Sequence, residues 1–126
     1  TAVKLNAIRD FGIKFNPYFG GGCLYGSGED TLFIKDCIFH GLKVYSTNTV
    51  LGTCRKDTST WFTGYNEKYF YDKGALMNYL FPRFRYLAAL YFAIRVKKST
   101  NIACRKRIKL MFAGVNGGKK LVPYKS

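Results

Sequence analysis

Five of the nine residues from Gly20 to Gly28 are glycine, and the carboxylate pair Glu29-Asp30 follows them directly. Such a run resists both helix and strand, because glycine loses the most backbone freedom on ordering and has no side chain to bury. It breaks the chain early, and it lets a ligand or another backbone come close. After it, Leu32, Phe33, Cys37, Ile38 and Phe39 recur as one buried stripe of an amphipathic helix would require. Ser27 or Gly28 is the expected cap of this helix, and Gly41 its C-terminal stop. The pair Glu29-Asp30 then has two readings. It is a first helical turn stabilised by the macrodipole, or it supplies an ionised general base at the mouth of an open loop.

Elsewhere the pattern predicts short strands and longer helices. Val3 to Leu5 reads as a strand, Asn6 to Phe11 as a helical turn, and Ile13 to Phe15 as extended chain. Lys43 to Thr49, rich in Val, Tyr and Thr, reads as a second strand. Arg55 to Ser59 is a polar loop, and Trp61 to Phe81 is mostly helical, with Gly64 as a point where it can break, until Pro82 stops it. Arg83 to Lys98 is a strong helix with Leu87, Leu90, Tyr91 and Ile94 on one face. A last helix, capped by Thr100 or Asn101, aligns Cys104, Ile108, Met111, Phe112 and Val115, leaves Arg105, Lys106, Arg107 and Lys109 to the remaining surface, and ends before Gly117-Gly118. Two short strands do not make an independent sheet, so they are expected to complete a larger one.

The 126 residues suffice for one small domain and carry a net charge of +14. All seven acidic residues lie at or before Asp72, whereas the stretch from Arg83 onward holds twelve Lys or Arg and no acid. That asymmetry implies a polyanionic partner: an anionic membrane face, a phosphorylated lipid or nucleic acid. No charged-then-apolar leader is visible, and the longest apolar run, Tyr86 to Val96, is interrupted by Arg95 and too short to span a bilayer. Cysteines 23, 37, 54 and 104 form no C-x-x-C pair, and the single His40 completes no zinc set, so no metal site is expected in this chain. His40 suits a helix C-terminus better than a metal. Free thiols point to a reducing compartment, hence the cytoplasm.

Residues 26–36, Gly-Ser-Gly-Glu-Asp-Thr-Leu-Phe-Ile-Lys-Asp, resemble the stretch that carries the E-D signature of family 2 glycosyltransferases. A second block, residues 59–76, Ser-Thr-Trp-Phe-Thr-Gly-Tyr-Asn-Glu-Lys-Tyr-Phe-Tyr-Asp-Lys-Gly-Ala-Leu, resembles the segment that follows it in one bacterial branch of that family. The likeness spans nearly the whole chain but only the C-terminal, acceptor-side part of such an enzyme. The family's nucleotide-binding part, with its metal-binding D-x-D, has no counterpart in these residues.

The resemblance implies an α+β fold: the C-terminal part of a GT-A, Rossmann-like α/β domain over residues 1–82, followed by basic helices over 83–126. It implies an inverting enzyme that moves a sugar from a nucleotide-sugar donor onto the hydroxyl of a glycan or lipid-linked acceptor, in cell-surface polysaccharide synthesis. Asp30 matches the catalytic base, and Glu29 the acid that supports the loop or the acceptor. Gly21, Gly22 and Gly28 would let substrate approach, Trp61 would stack on a sugar or close over the diphosphate, and Arg55 and Lys56 would reach that diphosphate. A divalent metal, Mg or Mn, is implied for the complete enzyme at the leaving group. This chain alone is expected to have no useful turnover. Its basic amphipathic helices suit the inner face of a cell membrane. Competing readings are a non-enzymatic basic module that binds anionic membrane or nucleic acid, and a fragment that self-associates through uncovered edges.

Overall fold

The acidic start at Glu29 does begin a helix. In the computed structural model, which describes residues 3–50, 52, 64–96 and 100–118, the elements in chain order are α1 (Leu5–Asp10), α2 (Glu29–Phe39), α3 (Glu67–Leu80), α4 (Arg85–Arg95) and α5 (Cys104–Gly118). Helix α2 is capped by Gly28 rather than Ser27. Gly28 sits at φ +124°, and a Cβ there would meet Leu76 Cδ1 at 2.8 Å, so both backbone and packing demand glycine. At the other end Gly41 N–H bonds Ile38 O and Leu42 N–H bonds Cys37 O, at 3.0 and 2.9 Å. That is a Schellman stop, completed by Leu42 packing near Cys37. His40 Nδ1 donates to Asp36 O at 2.8 Å and so caps a terminal carbonyl.

The expected α+β architecture is not what forms. Among the described residues there is no sheet, and the sole strand-like pairing is an isolated parallel bridge between Phe19 and Tyr25. Leu5, assigned to a strand, starts α1 instead. Residues 43–50 have no regular structure, and Val44, Tyr45 and Val50 are exposed. Alternation makes a strand only where a neighbouring edge can take its N–H and C=O groups, and no described segment offers one. The GT-A-type sheet is thereby overturned for the described part of this chain.

Helices α3, α4 and α5 pack into one core of Phe70, Met77, Ala89, Ala93, Met111 and Val115. Helix α3 starts later than expected because Asn66 Oδ1 accepts Tyr69 N–H at 2.8 Å, a side-chain N-cap. It crosses α5 at backbone contact: a Cβ on Gly74 would run into the Met111 carbonyl, and one on Gly114 into that of Tyr71. Those contacts explain why α5 continues through Gly117 and Gly118 instead of ending before them. Small residues there contribute packing that outweighs their poor helix propensity.

On α4 the small residues Ala89 and Ala93 are buried, while Leu87, Tyr91 and Ile94 are exposed. On α5, Arg107 leaves the basic surface and is buried, its Nε donating to Ala93 O at 2.9 Å and its Nη1 to Ile102 O at 2.7 Å. A cation at carbonyls of the α4 C-terminal turn is favoured by the helix dipole. Lys106 pairs with Glu67 across the α3–α5 seam.

The remaining apolar clusters attach the front of the chain to α3. Phe19, Tyr25 and Leu32 pack on Ala75 and Leu76, and Ile13 packs on Phe33 and Cys37 of α2. Helix α3 therefore carries the helical unit on one side and the glycine loop on the other.

Candidate functional site

The glycine stretch is closed at its base. Gly20 N–H bonds Tyr25 O and Tyr25 N–H bonds Tyr18 O, each at 2.9 Å, and the Phe19 and Tyr25 rings meet at 4.7 Å. Burial pushes the Tyr25 phenol up to about 12, with help from Tyr71, Tyr79 and Asp72. Beyond this base the loop is fastened to α3. Asp72 Oδ2 accepts Gly26 N–H at 2.9 Å and pairs with Lys68 Nζ at 2.6 Å. Lys68 Nζ also donates to Leu24 O at 3.2 Å, and Lys73 Nζ to Ser27 Oγ at 3.1 Å. Lys73 lies 5.4 Å from the centre of the Tyr69 ring. Burial lowers the Lys73 pKa from its usual value, opposed by the carboxylates of Asp72 and Glu29.

Between loop and helix lies a cleft of about 440 Å³, with Gly21, Gly22, Ser27 and Glu29 on one wall and Asn66, Lys68, Tyr69 and Asp72 on the other. Its walls combine amides, a hydroxyl, an aromatic ring, a cation and two carboxylates, a mixture suited to a polar, hydroxyl-bearing ligand. A larger cavity of about 1010 Å³ lies between α1, α2 and residues 42–52, lined by groups such as Ile8, Phe33, Leu42 and Val50. Lys4, Lys43, Tyr45, Thr47 and Thr49 also line it, but no carboxylate does.

The two acids of the pair part company. Glu29 Oε2 accepts Gly28 N–H at 2.9 Å, and its side chain lies beside Gly20, so this carboxylate is held on the loop backbone. Asp30 is exposed in the first turn of α2, next to the cleft wall but not part of it. Of the glycines singled out, Gly21 and Gly22 line the cleft, whereas Gly28 packs on Leu76. Trp61, Arg55 and Lys56 lie outside the described residues. Lys68, Asp72 and Lys73 emerge as the residues that fasten the loop to α3, a part that the sequence alone did not assign them. Lys68 and Asp72 stand four apart, as a helical ion pair requires, and Asp72 is the last acid of a strongly basic chain. Those two facts were the available signal.

Among the described residues no group of three or more His, Cys, Asp or Glu could hold a metal ion. The divalent metal that the resemblance implies belongs to the nucleotide-binding part of a complete enzyme and not to these residues. Cys23, Cys37 and Cys104 are unpaired, and Cys54 lies outside the described residues. No described helix is long and apolar enough to cross a membrane. Compared with models of protein families, with curated proteins and with solved structures, the chain matches none.

Proposed function

We propose that this chain forms the acceptor-side part of an inverting glycosyltransferase, with the cleft between the glycine loop and α3 holding a sugar or acceptor. The observation that carries the reading is convergence. The first block quoted for the resemblance, residues 26–36, and the described part of the second, residues 64–76, meet at one cleft, where Gly26, Ser27 and Glu29 face Asn66, Lys68, Tyr69 and Asp72. Asp30, exposed in the first turn of α2 beside the cleft, takes the acceptor proton as the hydroxyl oxygen attacks the anomeric carbon and the bond to the donor's nucleoside diphosphate breaks, the diphosphate leaving with the bonding pair. Glu29 shapes the loop through the Gly28 amide. Gly21 and Gly22 leave room at the lip, and Asp72 holds the loop against α3 through Gly26 N–H. The proposal concerns the chemistry of this cleft and not the α+β fold expected from the resemblance.

The test is Asp30→Asn in an enzyme that joins this chain to a nucleotide-binding part. Sugar transfer should fall about a hundredfold or more, the usual worth of a general base, while nucleotide-sugar binding by calorimetry stays unchanged. Turnover at the parent rate would remove Asp30 as the base.

A further inference from the structure

Helix α4 turns its large side chains outward. Phe84, Leu87, Tyr91 and Ile94 follow at spacings of three, four and three, so they form a single stripe. They are 65%, 65%, 62% and 54% exposed, and Phe81 just ahead of them is 49% exposed. The opposite side of the helix buries only Ala89 and Ala93. A helix with so much apolar surface normally packs it inward, and among the described residues nothing covers it.

Charge decides what fits this surface. Every Lys, Arg, Asp or Glu described beyond Asp72 is a cation. Arg83 stands at one end of the stripe and Arg95 at the other. Arg95 donates to the Tyr91 hydroxyl at 3.0 Å, so its guanidinium is held beside the stripe, whereas Arg85 turns to Asn78 Oδ1 and the Pro82 carbonyl. A second copy would bring the same cations against themselves. A nucleic acid would satisfy the arginines but offers aliphatic Leu87 and Ile94 no face to stack on. An anionic bilayer satisfies both sets at once: phosphates for the cations, acyl chains for Leu87 and Ile94, and the headgroup boundary for tyrosine.

We propose that the Phe84–Leu87–Tyr91–Ile94 stripe docks α4 in the plane of an anionic lipid bilayer. At about 16 Å, eleven residues at the helical rise, the element lies on the surface and does not cross it. The inference stands on α4 alone and does not depend on the transferase reading.

The experiment is sedimentation of the 126-residue chain with vesicles of phosphatidylcholine, or of equal parts phosphatidylcholine and phosphatidylglycerol, at low and high salt. Binding is expected to favour the anionic vesicles. Leu87→Ser combined with Ile94→Ser should weaken it by roughly tenfold or more, from the apolar area lost, with an unchanged circular dichroism spectrum because both positions are exposed. Arg83→Gln, which removes a cation but no apolar contact, should weaken it about fivefold, and only on anionic vesicles. Failure to sediment with anionic vesicles overturns the proposal. So does binding that disappears in high salt and ignores the serine changes, which is bare phosphate attraction. A dimer that the serine changes convert to monomer would assign the stripe to a second copy instead.

Discussion

Gly114→Ala tests the backbone contact on which the helical unit rests. In isolation the change favours α5, since alanine exceeds glycine in helix propensity by about 1 kcal/mol. In place, the new Cβ would press on the Tyr71 carbonyl, with its carbon at 2.9 Å and Ala75 N at 3.0 Å, where ordinary contact begins near 3.4 Å. Neither neighbour is a side chain that can swing aside, so α3 and α5 must part by at least about 0.5 Å, the difference between 3.4 and 2.9 Å. A gap of that size forfeits about a quarter or more of each dispersion contact along the seam, including those of Phe70, Met111 and Val115, all fully buried. Overpacking of this kind costs about 3 kcal/mol, which leaves a net loss of about 2 kcal/mol after the propensity gain. For a domain of this size that corresponds to a fall in melting temperature of about 8 °C, readable by far-ultraviolet circular dichroism. Gly117→Ala is the matched control. Its Cβ would meet only the tip of the Tyr71 side chain, which can rotate, so the melting temperature should hardly move. If Gly114→Ala melts at or above the parent, or the two variants behave alike, the two helices are not in backbone contact and the packing argument fails.

Asp72→Ala should destabilise the loop by about 1 kcal/mol, because Gly26 N–H loses its acceptor in a partly buried site, and Asp72→Asn, which keeps an acceptor oxygen, by less. Amide exchange at Gly26 checks this; unchanged protection in the alanine variant would show that the bond does not hold the loop. Alkaline pH gives a second handle through Tyr25, whose folded pKa of about 12 exceeds the ordinary phenol value of 10.0. The folded state then keeps a proton that the unfolded chain releases, so this contribution is complete below pH 10 and is lost between about 10 and 12. Tyr69 and Tyr79, also raised by burial, act in the same sense. Lys73, lowered by burial from 10.5, acts in the opposite one: the folded chain gives up this proton first, so stability rises with pH until the unfolded chain loses it too, near 10.5. Unfolding followed from pH 9 to 11 should therefore show a shallower loss of stability in Tyr25→Phe than in the parent; equal slopes would remove Tyr25 as the cause.

Signals confined to a few neighbouring residues were legible in the sequence. The acidic start of α2, the glycine after His40 and the proline after Phe81 each act within one turn, and each marks a real boundary. The strand expected over 43–49 was not, because alternation describes one strand and says nothing of the edge it needs. On α4 the sequence reveals which side chains share a face but not which way that face turns. That was decided by Gly74 and Gly114, which draw α3 and α5 together and leave α4 to contribute alanines to their core. Arg107 looks no different from Arg105 or Lys109 in sequence; only the carbonyls of Ala93 and Ile102 single it out. In the site, the glycine loop and Glu29-Asp30 announced themselves. Asp72 did not, because the amide it holds is 46 residues away.

The way the loop is fastened also bears on how the protein keeps its cleft. Helices α3, α4 and α5 share a buried core, whereas the upper part of the loop is held to α3 by the Gly26–Asp72 and Ser27–Lys73 hydrogen bonds at a partly buried surface. Segments held by few buried apolar contacts open at lower free energy than the core. The cleft is accordingly the first part to open under denaturant. A preparation can then keep nearly all its helical ellipticity and yet have lost its site. The environment of Tyr25, at the base of the loop, is the signal that distinguishes the two states, and it is the one to follow when judging whether purified material is competent.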